Sequence, residues 1–186
     1  MKVKYRGVVV GEIEPTGDTQ QDAEAARQLL VSKGLYKETS DFELTLHQAV
    51  AFAHTAKLLY ERGLYDPEHV ANSTAPFIVN AAFSIELHLK ALAQKHGTTN
   101  RGHELLTLYA DLPQKAQAEI EQVSQRYFAT KITGERPGFF ACLQDLNHAF
   151  VKWRYIHERR ETASAHIEQA VFALEILNEA CHLPAD

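Results

Sequence analysis

Between Ser73 and His96 the apolar residues recur in two adjacent stripes, and this pattern constrains the fold more than any other stretch. Ile78, Ala82, Ile85, Leu89 and Leu92 follow one another at steps of 4, 3, 4 and 3, with Val79, Phe83, Leu87 and Ala91 running beside them. One stripe suits a surface helix. Two side by side predict a helix covered around much of its circumference by several neighbours. Ser73 or Thr74 is expected to cap its start, Pro76 to lie in the first turn and Gly97 to end it. Glu86 and Lys90 fall inside this greasy surface, where charge is costly unless it is paired.

The flanking segments are read in relation to that helix. Ser40-Asp-Phe-Glu43 has the spacing of a capping box and opens a helix to about Arg62, with Gly63 after it. Beyond Gly97, Leu105–Tyr109 forms a short helical turn, and a helix from Asp111-Leu-Pro113 runs to near Tyr127. Phe139 to about Arg160 reads as one helix with Phe139, Leu143, Leu146 and Phe150 on one face, and a last helix covers about Ser164 to His182. The first residues differ: Val3, Tyr5 and Val8-Val9-Val10 favour strand, Gln20–Lys33 favours helix, and Leu35-Tyr36-Lys37 suits a second short strand. The expected organisation is a β-α-β appendage over residues 1–38 and a helical bundle over 39–186, all-α apart from that extension.

Composition narrows the function classes. With 19 Lys and Arg against 24 Asp and Glu the net charge is -5, which disfavours a broad nucleic-acid groove but leaves room for a local basic patch. Lys152, Arg154, Arg159 and Arg160 form the one such concentration. The apolar runs are far short of the roughly 20 residues of a membrane span, so no membrane association is expected. Cys142 and Cys181 sit in helical patterns and suit small buried hydrophobes in a reducing compartment. With no secretory pattern at the amino terminus, a cytoplasmic location is the expectation. Ten histidines raise the question of a metal, but neither His-Glu-x-x-His nor paired cysteines occur. His47 and His54 share a face with no carboxylate to complete a set, and no glycine-rich phosphate loop is present. No metal or cofactor is expected.

On a helix buried by two stripes Glu86 needs a partner beyond Lys90, and Arg154 is the expected one. Glu86, Lys90, His103 and Arg154 then make either a network that fixes helix register or a polar cluster in a groove. Trp153 and Tyr155 flank Arg154; an aromatic beside a cation can stack a base, although a tryptophan also suits a core or an interface.

Taken together, Ala75-Pro-Phe-Ile-Val-Asn80, Ile85-Glu-Leu-His-Leu-Lys-Ala-Leu92, Gly102-His-Glu-Leu105 and Phe150-Val-Lys-Trp-Arg-Tyr-Ile-His-Glu158 resemble the HEPN superfamily (higher eukaryote and prokaryote nucleotide-binding). The resemblance covers roughly Ser40 to His182. It implies an antiparallel bundle of four or five helices that forms a homodimer and binds RNA, a nucleotide or a protein partner, a nucleotidyltransferase-type protein among them. Glu86, Lys90, His103, Trp153, Tyr155 and Glu158 become the binding candidates. Many HEPN members are metal-independent ribonucleases of toxin or defence systems, with an Arg and a His four to six residues apart and the two copies meeting across a dimer. An imidazole can assist attack by the ribose 2′-hydroxyl while a guanidinium stabilises the phosphate. The catalytic candidates implied here are Arg154 with His157 or, alternatively, Arg160 with His166. Arg154 and His157 have only two residues between them, and Arg160–His166, with five between, lies beyond the Trp-Arg-Tyr motif. A binding module without catalysis is therefore the first reading and a ribonuclease the alternative.

Overall fold

The computed structural model describes residues 1–131, 138–155 and 166–184. The chain is mostly helical with a two-stranded sheet at its amino terminus, and it divides into two compact units, Met1–Ser40 and Asp41–Asp186.

In the first unit β1 (Lys2–Tyr5) and β2 (Val8–Glu12) pair antiparallel, with Tyr5 opposite Val8. The two residues between them, Arg6 and Gly7, both have positive φ, 49° and 83°, as a tight hairpin with right-handed strand twist requires. Helix α1 (Thr19–Ser32) starts at Asp18, whose carboxylate accepts from the Gln20 and Gln21 amides. Leu35–Lys37, expected as a second strand, is not one. The Leu35 and Tyr36 amides both donate to the Leu30 carbonyl, so this segment closes α1, and Tyr36 lies under the Arg27 guanidinium. The unit is β-β-α, because the two-residue hairpin turn supplies β1 with a partner in β2 before the helix begins.

The second unit is assembled on α3 (Val70–Lys95), which packs against α2 (Asp41–Leu59), α4 (Leu105–Ala110), α7 (Ala149–Arg154) and α8 (Ile167–His182). Helix α5 (Gln114–Lys131) lies on α8, and α6 (Phe139–Leu146) on α4, α7 and α8. Phe77, Ile78, Ile85, Leu89 and Leu92 of α3 join Leu108, Ile120, Leu143, Ile176 and Leu177 in one core. The first stripe of α3 is buried throughout, and in the second Leu87 and Ala91 are buried while Val79 and Phe83 are half-buried. Among the described residues no helix is long and apolar enough to cross a membrane.

Three element boundaries differ from expectation, each for a local reason. Helix α3 starts at Val70, before Ser73. Asp66 organises its entry: its side chain accepts from the Glu68 amide and its carbonyl from the His69 and Val70 amides. Pro76 consequently lies inside the helix and leaves the Asn72 carbonyl without its usual donor. Ser73 has another role. Residues Tyr60–Leu64 continue α2 as a widened π-type turn, and Gly63 in that turn meets Ser73 so closely that a Cβ there would lie 2.1 Å from its Oγ. The expected long helix from Phe139 is broken at Asn147 and His148, since Asn147 Oδ1 accepts from the Leu106 amide at 2.9 Å. That amide is an orphan donor in the first turn of α4, so the break caps a neighbouring helix.

Polar groups within the core are tied in the same way. Ser84 Oγ donates to the Ala49 carbonyl of α2 at 2.8 Å, His88 Nδ1 donates to the Ser84 carbonyl at 2.8 Å, and the Cys181 thiol donates to the His88 carbonyl. His88 Nε2 is left buried without a hydrogen bond. Cys142 and Cys181 are both buried, and burial pushes the Cys181 thiol up to about 12.

Two predictions follow from this packing. Gly63→Ala forces its methyl into Ser73 and costs about 1–3 kcal/mol, read by denaturant unfolding; adding Ser73→Gly, which removes the atoms it strikes, restores part of the loss. His88 gives a pH dependence. Burial pushes its imidazole below the usual 6.5, so the unfolded chain takes up the proton first. Its contribution is complete above that value and is lost as pH falls from there through the lowered folded-state value, by at most ~1.4 kcal/mol per pH unit. His88→Leu should therefore narrow the difference between melting temperatures measured in neutral and mildly acidic buffer.

Candidate functional site

Glu86 is 1% exposed on α3, and its Oε1 receives Lys90 Nζ at 2.7 Å and His103 Nδ1 at 3.0 Å. Lys90 comes from the next turn of the same helix, and His103 from the segment that leads into α4. Three of the four residues expected to cluster thus converge on one carboxylate oxygen. Arg154 does not join them, and the second partner expected of Glu86 is His103. Lys90 and His103 share Oε1, while Oε2 is buried without a hydrogen-bond partner. The His103 side chain is 71% exposed, so its ring links a buried charge to solvent.

Arg154 is placed elsewhere by an aromatic ladder. Phe52 of α2 meets Phe83 of α3 edge-on at 4.7 Å, and Phe83 stacks on Phe150 of α7 at 5.4 Å. That stack sets the rotation of α7. The Arg154 guanidinium, one turn beyond Phe150, lies 5.0 Å from its ring centroid and 4.6 Å from that of Tyr155, to whose hydroxyl it donates at 2.7 Å. Both Arg154 and Tyr155 are exposed. No carboxylate among the described residues pairs with this guanidinium. It is a cation held on an aromatic platform.

Trp153 and Lys152 turn the other way. With Ile78, Asp145, His148 and His166 they line a cavity of about 190 Å³ at the break between α6 and α7. His166 Nδ1 is 3.7 Å from Asp145 Oδ2. His166 was expected to act with Arg160; Arg160, His157 and Glu158 lie outside the described residues. That Asp145, His148, Lys152 and His166 line one cavity escapes sequence reading because they lie across the helix break and on separate elements. The spacing of Asp145, His148 and Lys152 at three and four residues is the signal that could have shown it.

A second and larger cavity, about 490 Å³, lies among α2, the π-type turn, α3 and α8. Its floor includes Phe77 and Leu174, and its rim His54, Lys57, Glu61 and Glu175. The rim charges are largely answered within the chain: Lys57 faces Glu61 at 3.7 Å, and Tyr127 donates to Glu175. At its edge the Tyr65 hydroxyl beside Tyr60, together with burial, pushes the Tyr60 phenol up to about 12. At the far end of α3, Lys95 and His96 both reach Glu119 of α5, at 2.9 and 3.2 Å, and Lys95 also donates to the Ala180 carbonyl of α8. Lys95 is 5% and Glu119 10% exposed, which makes this an interior tie between three helices. No group of three or more His, Cys, Asp or Glu side chains among the described residues is arranged to hold a metal ion.

No family model, no curated protein and no solved structure matches this chain. The geometry alone carries the functional argument.

The Glu86 cluster makes a test of its own. Lys90→Met leaves a buried carboxylate with one fewer cation and should destabilise the fold by roughly 3 kcal/mol. Lys90→Met combined with Glu86→Leu, which removes both charges, should be more stable than Lys90→Met alone. Urea unfolding of the two variants checks the order; a double variant that is the less stable of the two would mean that the carboxylate contributes through something other than this pair.

Proposed function

We propose that this chain is a HEPN-like binding module, an antiparallel helical bundle that acts as a cytoplasmic homodimer and takes single-stranded RNA along α7 without cutting it. The observation that carries this reading is Arg154: an exposed guanidinium laid over Phe150 and Tyr155, with no acidic partner among the described residues. An exposed guanidinium can answer a phosphate, and its planar face and the exposed Tyr155 ring each offer a base a surface to stack on. The aromatic ladder holds the cation in place before any ligand arrives, which lowers the entropy cost of binding. With a net charge of -5 the chain has no global field to attract nucleic acid, so affinity has to come from such a local site.

The test is fluorescence anisotropy with an end-labelled, mixed-sequence single-stranded RNA in excess chelator. Arg154→Ala should weaken binding about tenfold or more, with the RNA recovered at full length. Arg154→Lys should recover only part of the loss, because an ammonium keeps the charge but not the stacking plane. Undiminished binding by Arg154→Ala would remove this surface as the site. RNA shortened by the wild type but not by Arg154→Ala would replace the reading with a metal-independent ribonuclease using Arg154.

A further inference from the structure

The cavity at the α6–α7 break carries an unusual set of side chains for a space of its size. Lys152 from α7, His148 from the break and His166 from the start of α8 all line its 190 Å³, with Asp145 the acidic member and Trp153 and Ile78 the apolar walls. Three elements converge there because Asn147 interrupts the helix to cap α4, which brings His148 to the break between Asp145 and Lys152. Asp145 Oδ2 faces His166 Nδ1 at 3.7 Å, which engages one of the two ring nitrogens. A lysine and two histidines are thus gathered around one concavity.

We propose that this cavity is a subsite for a phosphomonoester, the terminal phosphate of an RNA chain or of a mononucleotide. Two magnitudes decide the ligand class. The volume falls below the roughly 300–1,000 Å³ of sites that enclose a whole small molecule, so the cavity admits a phosphate with the adjoining sugar and leaves the base outside. Lys152 supplies a full positive charge and the His148 and His166 rings supply further polar nitrogens, against the single carboxylate of Asp145. A phosphomonoester brings about −1.5 to −2 near neutral pH, whereas an internal phosphodiester brings a single charge and must also thread its chain out on both sides. The Trp153 ring forms the wall against which the sugar rests. The proposal rests on the reading of α7 as an RNA-binding surface: Arg154 holds the chain on one side of the helix, and the cavity receives the chain's end on the other.

Trp153 is the only tryptophan in the chain and lines the cavity, so its fluorescence reports occupancy directly. Wild-type protein is titrated with 5′-AMP, 3′-AMP, inorganic phosphate and adenosine. A saturable change is expected with one or both nucleotides and none with adenosine; the stronger nucleotide identifies the end of the chain that is read. Inorganic phosphate should bind and compete, more weakly. Lys152→Ala and His166→Gln, both at partly exposed positions, should each reduce the apparent affinity about tenfold while keeping the wild-type melting curve. The absence of any saturable change with phosphate-bearing ligands at millimolar concentration would overturn the proposal, as would equal responses to adenosine and AMP. The RNA reading is scored separately: RNA that binds by anisotropy with no preference for a phosphorylated end removes the subsite and keeps the α7 surface. AMP that binds where RNA does not keeps the subsite and removes the surface.

Discussion

Helix α3 is covered on nearly every side, and that one constraint dictates how the rest of the second unit is built. A helix in this position can carry polar side chains only if other elements answer them, because an unmet buried group costs about 1–3 kcal/mol, more if charged. Ser84 is answered by a carbonyl of α2, Glu86 by His103 ahead of α4, and Lys95 by Glu119 of α5 and a carbonyl of α8. Each answer fixes where a neighbouring element must lie along α3. Apolar packing alone would tolerate sliding, since Leu, Ile and Ala present similar surfaces turn after turn. The polar ties set the register. Glu86 Oε2 and His88 Nε2, buried without hydrogen bonds, mark where this accounting is incomplete.

The same logic explains what could be read from the amino-acid sequence and what could not. The double stripe identified α3 because periodicity is a property of one helix, and Glu86–Lys90 was legible because both residues lie on that helix one turn apart. Features that depend on two elements were read less well. Arg154 was paired with Glu86 on charge alone, but the rotation of α7 is set by Phe150 stacking on Phe83, which turns the guanidinium to the surface. The Ser73 cap and the unbroken helix from Phe139 followed local rules that tertiary contacts override: Ser73 faces Gly63, and Asn147 serves α4. Leu35–Lys37 was read as a strand from residue preference, while its amides close α1 instead. The Lys95–Glu119 tie went unread altogether, since nothing in the spacing of two residues 24 apart shows that they meet.

Chain breaks recur where the structure gathers chemistry. The π-type turn at Tyr60–Leu64 lets Gly63 approach Ser73 and leaves Tyr60 at the edge of the larger cavity. The interruption at Asn147 and His148 opens the smaller cavity between α6 and α7. A continuous helix presents side chains in a fixed rotation, so a concave site lined from several directions needs a place where that rotation is broken. In both cases the backbone irregularity is held by a specific contact, the Ser73 approach in one and the Leu106 amide in the other. The irregular segments are thereby as constrained as the helices around them.

Helix α7 divides this chemistry between two sides within a single turn. Arg154 and Tyr155 face solvent at the end of the aromatic ladder, whereas Lys152 and Trp153 line the cavity. The ladder from Phe52 through Phe83 to Phe150 anchors the helix to α2 and α3, so both sides are presented by the same rigid support. On a chain with a net charge of -5 this arrangement has a consequence for selectivity. A long-range field would draw in any polyanion, and at physiological salt it would be screened beyond about 8 Å. A guanidinium fixed on aromatic rings, with a lysine and two histidines lining a cavity on the same helix turn, acts only at contact. On the reading proposed above, selectivity would come from the geometry that this one turn of helix sets.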